Sequence, residues 1–349
     1  MLRNTPAGFA VRLAATVATI ALFAVSGCNT SDPAETSKSR PTTTPRATSS
    51  ATTPSPKPTP TKSEKNTSPF TGLPETKRKP VLAVKIDNVA QARPHTGLSK
   101  ADIIYVEPVE AGLGRIMAIF SSRLPSSVGP VRSARESDLE VLHQYGKPAF
   151  AYSGANSALL PVIARAPIHD VSPAHASEAY VRGEDRPAPH NLYAKPQTLL
   201  ADAPGASKAR DIGFRFGPPP AGGEEVTSRS VSYGAFEVTF RWSAEKRRWL
   251  VSMDGDALRS TDGRPPMPAT VVVQYARIRP SKYGDKWGNV SPYTESVGRG
   301  RALVLRNGKA YDARWSRSSE GKGTTFTMQD GQPMTFARGQ VWIVYAPRD

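Results

Sequence analysis

The 349-residue chain contains one cysteine, Cys28. Everything after it must fold without a disulfide or a thiolate-bound metal. No cross-link can restrict the unfolded chain, so the folded part needs a hydrophobic core large enough to stand by itself. The same count removes cysteine nucleophiles, and with them cysteine peptidases, sortases and cysteine-dependent transpeptidases.

The residues before Cys28 read as a targeting segment. Arg3 and Arg12 supply positive charge, and Leu13 to Val25 is an uncharged apolar run. That run is shorter than the about 20 apolar residues a bilayer span needs. Short and basic-flanked, it predicts a secretory signal peptide over residues 1–27. Val25-Ser26-Gly27-Cys28 resembles a lipobox. Ser26 and Gly27 are small enough for a signal peptidase site, and the Cys28 thiol can take a diacylglycerol before cleavage makes it the N-terminus. Several acyl chains such as palmitate, at about 0.8 kcal/mol per buried methylene, give stable anchoring. The expected location is the cell membrane, lipid-anchored on its extracytoplasmic face.

Residues 28–68 are dominated by Thr, Ser and Pro, as in Pro41-Thr42-Thr43-Thr44-Pro45. Without large apolar side chains this stretch is expected to be a disordered tether. The formal net charge is +16. A basic surplus raises the question of nucleic acid, but export removes that partner. Anionic lipid headgroups, teichoic-acid-like polymers, acidic wall components or an envelope protein fit better. No cofactor is implied.

From Pro69 the pattern changes to short apolar runs. Val81 to Ile86, Asp102 to Val106, Arg115 to Phe120 and Pro148 to Tyr152 predict strands. Glu136 to Tyr145 has helical spacing, and Asn156 and Pro196 mark two further helix starts. Residues 69–217 therefore read as a mixed α/β domain. After Pro218-Pro219-Pro220 almost all signals are strands, so residues 218–349 read as a β-rich domain. Asn307-Gly308 and Asp330-Gly331 predict tight hairpins. Val341 to Tyr345 is read as the strand that closes the sheet. The expected class is α+β, with a mainly antiparallel second part.

Several local patterns are weak. Ser243-Ala244-Glu245-Lys246 matches the S-x-x-K of penicillin-binding enzymes but lies in a hairpin turn rather than at a helix start. Asp254-Gly255-Asp256 lacks the spacing of a calcium loop. His169 and His175 carry no metal-binding pattern, so no metal site is predicted. No catalytic residue can be named.

The densest constellation lies earlier. Asp87, Asn88, Arg93, His95, Glu107, Glu110 and Arg115 fall at or near strand ends, followed by Gly129-Pro130-Val131-Arg132-Ser133-Ala134-Arg135 before a helix that Ser133 is placed to cap. Guanidinium groups grip carboxylate or phosphate with paired hydrogen bonds. At these residues, together with Pro69-Phe70-Thr71-Gly72-Leu73-Pro74 and Pro189-His190-Asn191-Leu192-Tyr193, the chain resembles the YerB family of bacterial lipoproteins, of unknown function. The resemblance implies a mixed α/β part and a β-rich part in one compact unit, and brings no reaction. The expectation is an envelope lipoprotein that binds an anionic component or a protein partner. Arg93, Arg115, Arg132 and Arg135 would contact the anion. Asp87, Glu107 and Glu110 would orient them, Asn88 would lie among these acids, and His190 with Asn191 would close the site. The alternative is a hydrolase or transferase for envelope polymers, with carboxylates such as Glu107 and Glu110 as acid and base.

Overall fold

Runs in which successive side chains meet two different apolar surroundings become strands, and here the two surroundings are the faces of one large sheet. The computed structural model describes residues 67–285 and 288–348. The expected signal peptide, Cys28 and the tether up to residue 66 lie outside them. The described residues belong to one unit, Thr61–Asp349.

In chain order the strands are β1 (Leu82–Ile86), β2 (Ile103–Pro108), β3 (Gly114–Phe120), β4 (Ala149–Ala151), β5 (His169–Asp170), β6 (Tyr180–Arg182) and β7 (Leu192–Ala194). Then come β8 (Glu224–Glu225), β9 (Ser228–Ser232), β10 (Glu237–Ser243), β11 (Arg248–Met253), β12 (Asp256–Ala257) and β13 (Thr270–Ala276). The rest are β14 (Ile278–Gly284), β15 (Val290–Thr294), β16 (Gly298–Arg306), β17 (Lys309–Arg317), β18 (Thr325–Thr327) and β19 (Val341–Pro347). Three α-helices are described, α1 (Glu136–His143), α2 (Leu160–Arg165) and α3 (Pro196–Ala201). Few helices, a mixed first part and a largely antiparallel, β-rich second part define an α+β fold.

The main sheet runs β18-β17-β16-β13-β19-β2-β3-β1-β4-β5, with β8 added to β17. Strands of residues 69–217 form one side of it and strands of residues 218–349 the other. The join is β19, parallel to β13 on one edge and to β2 on the other. The expectation that Val341 to Tyr345 closes the sheet is thus corrected, because the strand lies in its middle. Its unbroken apolar run is the pattern of a strand buried on both faces.

Each face carries its own core. Leu82, Val84, Ile104, Val271, Trp342 and Val344 face the small sheet β12-β11-β10-β9, where Phe240 meets Trp342 edge-on at 5.6 Å. Ala83, Ile103, Tyr105, Met117, Ile119 and Ile343 face the other way, against Leu139 and Leu142 of α1 and Ile163 of α2.

Two turns separate what was expected of them. Asn307 (φ 52°) and Gly308 (φ 73°) join β16 to β17 with both central residues left-handed, as a two-residue hairpin requires. At Asp330-Gly331 only Gly331 (φ 82°) is left-handed. The chain beyond it returns to β18 through an isolated bridge, Thr327 to Pro333, rather than as a strand. Asn156 caps the amide of Ala158 at 2.9 Å, and α2 begins only at Leu160.

Candidate functional site

Period-two alternation places polar groups at one end of the α1 face. Lys85 follows Ala83 on that face of β1, opposite Met117. Arg115 and Glu107 stand opposite each other on β3 and β2, two residues from Met117 and Tyr105. The segment 130–132 then binds to the end of β1. Asp87 N–H donates to the Pro130 carbonyl at 2.8 Å and Arg132 N–H to the Lys85 carbonyl at 2.9 Å. On its far side Val131 N–H donates to the Leu192 carbonyl at 2.6 Å, which brings the loop before β7 alongside.

The innermost charge is Lys85, fully buried, which pairs with Asp138 at 2.6 Å and also with Glu107. Burial pushes the Lys85 ammonium down to about 8 against the pull of Asp138. Glu107, expected to orient an arginine, holds this lysine instead. Lys85 is the residue the sequence reading passed over. Its signal was a lysine between Val84 and Ile86 in an otherwise apolar strand, because a charge there must be paired.

Asp87 forms the outer layer. It ion-pairs with Arg132 Nε at 3.2 Å and accepts from His190 Nδ1 at 2.8 Å and from the Asn88 amide at 2.9 Å. Burial acts to raise its pKa, but Arg115, Arg132 and His190 outweigh it and hold the carboxyl below its ordinary range. Asp87 is therefore an acceptor, and His190 Nδ1 carries the proton. Arg135 grips Glu110 with two bonds, 2.6 and 2.8 Å, and spends its remaining nitrogen on the Ala134 carbonyl at 3.0 Å. Ser291 also donates to Glu110. Burial would raise Glu110, but Arg135 and Ser291 leave it below its ordinary value.

Arg115 differs from its neighbours. It is 5% exposed, and its guanidinium makes no hydrogen bond or ion pair with any described residue. Burial pushes it down to about 10; Asp87 and Glu110 oppose that, while Arg135 and Arg132 add to it. Asn88, just after β1, is buried with both side-chain amide atoms unpartnered among the described residues.

Other expected residues are engaged elsewhere. Arg93 reaches toward the small sheet, pairing with Asp254 at 2.8 Å and donating to the Asn88 carbonyl at 2.7 Å. It lines a separate cavity of about 370 Å³ with Met253, Leu258 and Arg259. Asn191 spends its amide within the β6–β7 hairpin, accepting from Arg182 and donating to the Gly183 carbonyl, both at 2.8 Å. Ser133 does not cap α1. Arg135 occupies that position, and Asp138 returns to its amide at 2.6 Å. Ser243 sits at a turn and accepts from the Lys246 amide at 3.2 Å. No cluster of three or more His, Cys, Asp or Glu residues able to hold a metal occurs among the described residues.

Residues 70–210 match the N-terminal domain, and residues 229–343 the C-terminal domain, of the family described as "Protein of unknown function (DUF3048)". The chain belongs to this family. It is 26% identical over 296 residues to "Putative lipoprotein YerB" of Bacillus subtilis (strain 168), covering 82% of this chain and 87% of that protein. The crystal structure of YerB from Bacillus subtilis matches with a TM-score of 0.71 at 23% identity, over 81% of this chain and 97% of that one. That likeness carries the fold. The relative's name is consistent with a lipoprotein here. No described helix is long and apolar enough to cross a membrane.

Proposed function

We propose that the chain is a lipoprotein held by Cys28 at the extracytoplasmic face of the membrane, and that its folded unit binds an anionic envelope component at Arg115 and Arg132. One observation carries this reading: Arg115 is 5% exposed, its Nε is buried without a partner, and its guanidinium has no ion pair among the described residues. A buried charge normally has its counter-ion in place, because leaving it alone costs several kcal/mol. The fall from 12.5 to about 10 puts the net disfavour of the Arg115 charge at about 3 kcal/mol, at 1.36 kcal/mol per pH unit. An anion from outside would supply the missing interaction. The acids support binding over acid–base catalysis. Glu107 and Asp138 serve Lys85, Asp87 serves Arg132 and His190, and Glu110 serves Arg135.

The test is Arg115→Met in a thermal-shift comparison. With no ligand added, the neutral side chain should leave the protein at least as stable as the wild type. Screened against acetate, phosphate, a muropeptide and a teichoic-acid fragment, the wild type should gain about 2.7 kcal/mol with a true ligand at 100 times its Kd. Arg115→Met should gain nothing. A variant that is strongly destabilised when ligand-free, or that responds like the wild type, refutes the reading.

A further inference from the structure

Three side chains with open donors surround one centre, the Asp87 carboxylate, and come from different parts of the chain. Arg115 rises from β3 with its whole guanidinium free of described partners. Arg132, from the loop before α1, approaches Asp87 with Nε at 3.2 Å, and its guanidinium makes no hydrogen bond to a described residue. His190 approaches from the loop before β7. Its Nδ1 proton is committed to Asp87, so Nε2 is the ring atom left without a described partner.

A carboxylate needs far less than this. It has two oxygens in one plane, and one guanidinium fork satisfies it, as Arg135 does for Glu110 within the same cluster. Two guanidinium groups and an imidazole from three segments suit an anion with more oxygens, spread tetrahedrally. Lys85, Arg115, Arg132 and Arg135 balance Asp87, Glu107, Glu110 and Asp138, and a proton on His190 would leave one positive charge over. His190 Nε2 suits the same ligand in either state, accepting from a P–OH when neutral and donating to a phosphoryl oxygen when protonated.

We infer that the anion taken between Arg115, Arg132 and His190 is a phosphoryl group, free or as an ester. This rests on the reading that the site binds an anion at all.

Isothermal titration calorimetry on the full chain in detergent micelles, at fixed pH and ionic strength, tests it with three probes: inorganic phosphate, glycerol 3-phosphate and acetate. At least one phosphoryl probe should bind ten times more tightly than acetate, and its rank against the other tells free phosphate from an ester. His190→Asn should weaken the better phosphoryl probe at least fivefold with the thermal midpoint unchanged. Arg115→Met should abolish binding, and near-ultraviolet circular dichroism shows whether that variant is folded. Acetate binding as tightly as phosphate would overturn the phosphoryl assignment and leave anion binding standing. Full affinity in a folded His190→Asn would overturn the place given to His190. If none of the probes bound, both this inference and the reading beneath it would fail.

Discussion

Acid should unfold this protein earlier than its carboxylates alone would, and His95 is the reason. The ring is buried, and its Nε2 donates to the Asp87 carbonyl at 2.8 Å. A carbonyl only accepts, so Nε2 carries the proton and Nδ1, which has no described partner, is bare. Burial pushes the imidazole from 6.5 down to about 4, with the positive charges of Arg93 and Arg186 acting the same way. The folded state thus keeps His95 neutral where the unfolded chain would protonate it. Its contribution is complete above pH 6.5 and is lost as the pH falls toward 4. Linkage over that interval puts the loss between pH 7 and pH 4.5 at about 2 kcal/mol. Asp87 and Glu110 are also held low, but their contributions fade only below their ordinary values of 3.8 and 4.5. Urea unfolding followed by tryptophan fluorescence at pH 7 and pH 4.5 should show this loss in the wild type. His95→Gln keeps a donor for the Asp87 carbonyl and cannot titrate, so it should lose about 2 kcal/mol less over the same interval. Equal losses in the two proteins would refute the argument.

Three further outcomes follow from the packing. Lys85→Met strands two buried carboxylates and should cost roughly 3–5 kcal/mol in chemical denaturation, with part of it regained in Lys85→Met/Asp138→Asn. Trp342→Ala removes the ring that Phe240 packs against in the middle of the sheet, and should cost about 3–5 kcal/mol in the same assay. At Gly308 a Cβ would meet Trp242 Nε1 at 2.8 Å in a left-handed backbone, so Gly308→Ala should lower the thermal midpoint by several degrees while Lys309→Ala leaves it nearly unchanged.

Local chemistry was legible in the sequence, and long-range pairing was not. Alternation located β1, β2, β3, β10 and β11, and Asn307-Gly308 fixed its hairpin, because each depends on neighbouring residues. The cluster from Asp87 to Arg135 was visible as a concentration of charge near strand ends. Which acid serves which base was not. That depends on the α1 face of the sheet, where Lys85 draws Glu107 and Asp138 inward and leaves Arg115 alone. The His190 contact with Asp87 spans 103 residues and exists only because Val131 lies beside Leu192. Arg93 and Asn191 looked equivalent to the other polar residues near them, but Asp254 and the β6–β7 hairpin claim them.

The position of β19 also governs the order in which the molecule can be completed. It follows the other eighteen described strands in the chain, yet it lies between two of them, β13 and β2. Until Val341 to Pro347 arrives, those two strands present unsatisfied backbone edges to each other across a gap. Both are apolar, and an open apolar edge invites pairing with another chain. For a chain secreted before it folds, a pause in export just before Val341 would hold such an intermediate, and any factor that shields unfolded exported chains would act on this gap. The two halves become one sheet in a single late insertion, so quality control of this protein amounts to a check on whether one short segment has arrived.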